Sequence, residues 1–225
     1  MRPIVYLTLS FAPVIILVMY WYFSRRQSAA YTALLLRSFL VGIAGVLVLV
    51  AAVILSQILG LNDLRSLKRT LFFAFVTAGF SSELGKFIVC RYLIIPKKHI
   101  DRPIDGITYS IATAMGFSAI ALLLFILEPF NIKSHYPATL FTFIYVPANI
   151  LFSVILGFFL GMGKFIKTRY SYSITGLLCA AFFHGLFTFC LITMDFKLLS
   201  LFAFGCTVIV FILGLKAAYT KPEGS

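Results

Sequence analysis

The chain has 225 residues, 61% of them hydrophobic and only 12% charged, a composition that excludes a soluble domain with a solvated surface. Its net charge of +12 would point to nucleic acid in a soluble protein, but the 19 basic residues fall mainly between apolar runs. No nucleic-acid partner is therefore expected, and a lipid bilayer with an anionic inner leaflet is the counterpart of that charge.

The apolar runs show no strict alternation, so the spanning elements are expected to be helices rather than barrel strands, each needing about 20 mainly apolar residues. Taken in order, seven spans are expected at residues 3–23, 38–59, 71–95, 104–127, 138–163, 172–194 and 198–218. The first lacks the basic n-region and small-residue cleavage site of a secretory signal and is kept as a span. The polar tail at 222–225 carries no readable function.

Arg25, Arg26, Arg37, Arg91, Lys97, Lys98, Arg102, Lys164, Lys167, Arg169, Lys216 and Lys221 fall on one side. Arg2, Arg65, Lys68, Arg69, Lys133 and Lys197 fall on the other. The positive-inside rule then predicts an all-α polytopic bundle with its N-terminus out and its C-terminus in. The stretch 62–70 carries three basic residues on the outer side and is expected to be a short interfacial helix, or else the first two spans thread differently. No repeat and no soluble domain is visible, so residues 1–225 read as one integral membrane domain. Cys90, Cys179, Cys190 and Cys206 lie in apolar stretches without metal-type spacing and read as small buried hydrophobes.

Charge inside a bilayer is costly, so each ionisable residue there is a candidate for function. Glu83 and Lys86 lie in the third span, Asp105 near the start of the fourth and His184 in the middle of the sixth, with Ser81, Ser82 and Asn149 adding uncharged polarity. Glu83 and Lys86 are three apart on a helix and can neutralise one another, a structural role that competes with a chemical one. A packing role competes in the same way for His184. A zinc site would need further ligands beside Glu83 and His184. A serine nucleophile with a lysine base, Ser82 with Lys86 at i,i+4, would need an oxyanion arrangement that is not visible. A transporter site would favour a broken helix, and Pro147 is expected to interrupt the fifth span beside Asn149.

Four stretches together carry a family likeness: Phe80-Ser81-Ser82-Glu83-Leu84-Gly85-Lys86-Phe87; Arg102-Pro103-Ile104-Asp105-Gly106-Ile107-Thr108-Tyr109 with Gly116-Phe117-Ser118-Ala119; Val146-Pro147-Ala148-Asn149-Ile150-Leu151-Phe152-Ser153 with Gly157 and Gly161; and His184-Gly185-Leu186-Phe187-Thr188-Phe189. Their order and spacing resemble the PrsW family of intramembrane proteases, relatives of the CAAX prenyl proteases, and place a protease-like core at 71–195. The resemblance implies peptide-bond hydrolysis in or near a bacterial-type plasma membrane. The substrates it implies are single-pass membrane regulators of the anti-sigma-factor type, cut by carboxylate and imidazole acting on a water, with or without a divalent metal such as zinc.

The likeness carries over Glu83 as acid or base, Lys86 as charge partner or oxyanion helper, and His184 as base or ligand. It departs where Ser82 stands at an expected glutamate, Ala121 at the fourth-span glutamate, Asn149 at the fifth-span histidine and Thr188 at a place often acidic. Those departures leave the cofactor open, with no ligand set supporting a metal. They imply weakened or absent hydrolysis, with two alternatives: a pseudoprotease that docks a transmembrane helix or lipid, or a small-solute transporter.

Overall fold

The computed structural model describes residues 29–97, 100–127, 138–166 and 168–220, and the expected span at 3–23 lies outside them. Six helices are long and apolar enough to cross a membrane: α1 (Ala29–Ile58), α2 (Leu67–Ile94), α3 (Pro103–Leu127), α4 (Ala138–Lys164), α5 (Arg169–Thr193) and α6 (Phe196–Tyr219). No strand occurs among the described residues. The expected helical class holds because an apolar segment in lipid can satisfy its backbone only within itself.

Two local expectations are corrected. Residues 62–70 do not form a separate interfacial helix. Ser66 accepts a hydrogen bond from the Arg69 amide at 3.4 Å and caps α2, so Leu67 to Thr70 become its first turn. Asp63 faces Arg65 at 3.5 Å and Arg69 at 3.4 Å, which offsets part of the local positive charge. Pro147 does not break its helix, since α4 runs through it from Ala138 to Lys164. Neighbouring helices in a bundle hold the backbone that a proline frees.

The helix α2 is not uniform. Wider i→i+5 turns occupy Phe73–Phe80 and Cys90–Ile94, and the regular α-helical stretch Ser81–Val89 lies between them. Such insertions re-phase the residues that follow, so they set which face Glu83 and Lys86 present.

Helix contacts close a ring in the order α1, α3, α4, α5, α2 and back to α1, while α6 packs outside against α4 and α5. Glycine makes this ring tight at its key seam, between α2 and α5. A Cβ on Gly79 would lie 2.7 Å from the Gly185 nitrogen and 2.8 Å from its Cα, so both helices meet backbone to backbone. Glu83 is one turn beyond Gly79 and His184 adjoins Gly185, so this seam brings the two side chains within reach.

Gly79→Val should therefore push α2 from α5 and lower stability by about 1–3 kcal/mol in detergent unfolding. Gly214, where a Cβ would meet nothing within 4 Å, is the control, and Gly214→Val should stay within about 0.5 kcal/mol of the parent. Equal effects of the two would contradict the seam.

Candidate functional site

The site begins with the phase of Ser81–Val89, which turns Ser81, Ser82, Glu83, Gly85 and Lys86 inward. Ser81 returns its hydroxyl to the Thr77 carbonyl on its own helix. Glu83 and Lys86 are both fully buried. The Lys86 ammonium stands 2.7 Å from Glu83 Oε1, the neighbour relation expected from their i,i+3 spacing.

Two other helices complete the set. From α5, His184 Nδ1 lies 2.7 Å from the same Glu83 Oε1. From α4, Asn149 Oδ1 accepts from Lys86 Nζ at 2.9 Å, and the Asn149 amide donates to the Tyr145 carbonyl at 3.1 Å. The result is one chain of contacts, Asn149 to Lys86 to Glu83 to His184, drawn from α4, α2 and α5. Aromatic rings hold it in place: Phe152 stacks on the imidazole at 4.9 Å between centroids, and Lys86 Nζ stands 5.5 Å from the Phe117 ring centre.

A carboxylate can only accept, so the contact with Glu83 requires the proton on His184 Nδ1. When the ring is neutral, Nε2 is the nitrogen left as a potential base, the tautomer a general base needs. Glu83 Oε2 is buried and makes no hydrogen bond among the described residues.

A partly open recess with a cavity volume of about 80 Å³ lies against this chain. His184, Ser82, Ala121 and Thr188 line it together with Tyr145 and apolar side chains including Val53, Phe73, Phe125 and Phe141. The apolar lining extends from His184 toward the ends of the helices opposite Lys97 and Lys164. Three positions where the resemblance leads one to expect longer polar side chains, Ser82, Ala121 and Thr188, are thus wall positions of the recess. The fourth, Asn149, is the amide partner of Lys86.

Sequence reasoning named Glu83, Lys86, His184 and Asn149 but did not join Asn149 to Lys86. Ser82 does not engage Lys86, whose ammonium is taken by Glu83 and Asn149, so a serine–lysine dyad is not assembled here. Asp105 stays outside the site and instead accepts from the Asp101 and Arg102 amides at the start of α3, at 3.0 and 2.9 Å. Cys90 is buried, with its thiol 3.2 Å from Thr113 Oγ1, and all four cysteines are unbridged.

The residues do not fit a catalytic metal. Such a zinc site takes three protein ligands and keeps one open position. Among the described residues no three His, Cys, Asp or Glu side chains converge, and the carboxylate that would bind the ion already holds an ammonium at 2.7 Å.

Against known proteins, the sequence matches the family described as PrsW family intramembrane metalloprotease over residues 31–215. It is 28% identical over 185 residues to Protease PrsW of Geobacillus kaustophilus, covering 82% of this chain and 78% of the relative. It is 26% identical over 186 residues to Protease PrsW of Bacillus subtilis, covering 82% and 81%. Against Protease PrsW of Clostridioides difficile the identity is 24% over 181 residues, covering 79% and 75%. No solved structure matches significantly.

Breaking the charge contact from one side strands a buried ion. Lys86→Met should cost about 3–5 kcal/mol in unfolding measurements, whereas Glu83→Gln with Lys86→Met should recover much of that loss. A double variant as damaged as the single one would show that Lys86 does not act through Glu83.

Proposed function

The chain belongs to the PrsW family of intramembrane metalloproteases, and from that premise we propose that it is an intramembrane protease scaffold with strongly weakened hydrolysis. The recess receives a transmembrane segment of a single-pass regulatory protein of the anti-sigma-factor type. Its basic end faces the cytoplasm, following the positive-inside rule.

One observation carries the reading: His184 lines an apolar recess while its Nδ1 is held by a buried carboxylate. A peptide bond in that recess would have a positioned base beside it, since His184 Nε2 can take a proton from water as it attacks the carbonyl. Glu83 orients the ring and offsets the charge that the imidazole acquires. Lys86 holds Glu83 in place and is itself held by Asn149. What is missing is a second acid or base: Ser82, Ala121 and Thr188 on the walls supply neither a carboxylate nor an imidazole. Docking without cleavage therefore uses the same recess and is the limiting case of the reading. A transporter is disfavoured because the helix through Pro147 is continuous.

The test is cleavage of a labelled single-pass anti-sigma-type substrate in proteoliposomes. The parent protein should give little or no product, and a variant carrying Ser82→Glu, Ala121→Glu and Asn149→His should be faster by about 10²-fold or more. Parent cleavage as fast as the restored variant, and lost in His184→Ala, would show that the native set is complete and would overturn the weakened-hydrolysis reading.

A further inference from the structure

Far from the recess, at the end of the bundle that carries the basic loops, a second site is built around the first turn of α5. Arg91, near the end of α2, is only 5% exposed. Among the described residues its guanidinium has no carboxylate partner and makes no hydrogen bond, and its contact is with the Tyr170 ring, whose centre lies 5.5 Å from Cζ. A guanidinium carries five N–H donors and stays charged, so one that is mostly covered and has no carboxylate among the described residues is a ready partner for an anion.

The surroundings add positive potential. Arg169 opens α5 and lies near enough to repel Arg91, and its Nε is buried without a hydrogen-bond partner. The preceding Thr168 provides no side-chain cap, and the first turn of α5 holds no acidic residue. The uncapped start of α5 and two arginines therefore lie in one neighbourhood, where neither arginine has an ion pair with an acidic side chain of the described residues. Nearby groups are committed elsewhere: Lys164 donates to the Lys97 and Ile100 carbonyls at 2.7 and 2.8 Å, and Asp105 is engaged by the Asp101 and Arg102 amides and stands 3.9 Å from the Arg102 guanidinium.

We propose that Arg91, Arg169 and the start of α5 form a binding site for a phosphate group, supplied by an anionic phospholipid in the leaflet at the basic end. Phosphate offers the oxygens that two planar guanidinium forks and a helix N-terminus can share, and Tyr170, which is largely exposed, fits the boundary between headgroups and acyl chains. A headgroup held there would tie α2 to α5, the two helices that carry Glu83 and His184. This inference stands independently of whether the recess performs hydrolysis.

Native mass spectrometry of the delipidated full chain in detergent tests it, with phosphatidylglycerol compared with diacylglycerol of the same acyl chains. One phosphatidylglycerol should be retained per chain, with affinity at least about tenfold above that for diacylglycerol, and Arg91→Gln and Arg169→Gln should each weaken it about tenfold. Displacement by excess inorganic phosphate would identify free phosphate as a second source for the same site, and resistance to it would identify the lipid as the ligand. Should Arg91→Gln not fold, Arg169→Gln, on a partly exposed side chain, carries the comparison, with Arg91→Lys keeping the charge but losing the fork. Equal retention of the two lipids, or variants that bind phosphatidylglycerol like the parent, would overturn the site.

Discussion

One carboxylate oxygen, Glu83 Oε1, holds both an ammonium and an imidazole at 2.7 Å in a place closed to water. The contact is expensive to build, because each ion sheds its hydration and the pair recovers that cost only with good geometry and further hydrogen bonds. The architecture around it supplies those conditions. Glycines at 79 and 185 allow α2 and α5 to touch, α4 delivers Asn149 to the ammonium, and Phe152 and Phe117 cover the imidazole and the lysine. The same packing fixes which imidazole nitrogen is free when the ring is neutral, so the structural role of the ion pair and a chemical role for His184 are not competing explanations.

The helices were readable because bilayer thickness leaves a strong mark on sequence: five of the expected spans, from 71–95 to 198–218, coincide within a few residues with α2 to α6, while α1 starts nine residues before the expected 38. The Glu83–Lys86 contact was readable for a local reason, a spacing of three on one helix. Asn149 and His184 could be nominated as polar residues in apolar surroundings, but their partners lie 63 and 101 residues away and depend on the order of helices in the ring. The i→i+5 turns in α2 leave no hydrophobic period to detect. Arg91 was misleading in the opposite way, since it counted as one more basic residue at a membrane boundary until its burial was visible.

Family membership and site chemistry inform different levels. Family membership and the helical membrane fold support an intramembrane protease scaffold. The donor set does not agree with a metal centre of the usual kind, because an ammonium occupies the carboxylate and no third ligand converges among the described residues. Small and neutral side chains at 82, 121 and 188 line the recess, and the proposed weakening of hydrolysis rests on them. At the opposite end, the proposed phosphate site on Arg91 and Arg169 would give the bilayer a direct hold on the two helices whose approach assembles the site.

The central claim is that Glu83 fixes His184 with its proton on Nδ1 and a bare Nε2. Nitrogen-15 spectroscopy of histidine-labelled protein in nanodiscs, with His99→Gln and His135→Gln used for assignment, reads that state directly. The account predicts a protonated Nδ1 and an unprotonated Nε2 for His184, with the Nδ1 signal altered by Glu83→Gln. A proton on Nε2 in the parent protein, or a His184 signal indifferent to Glu83→Gln, would contradict it.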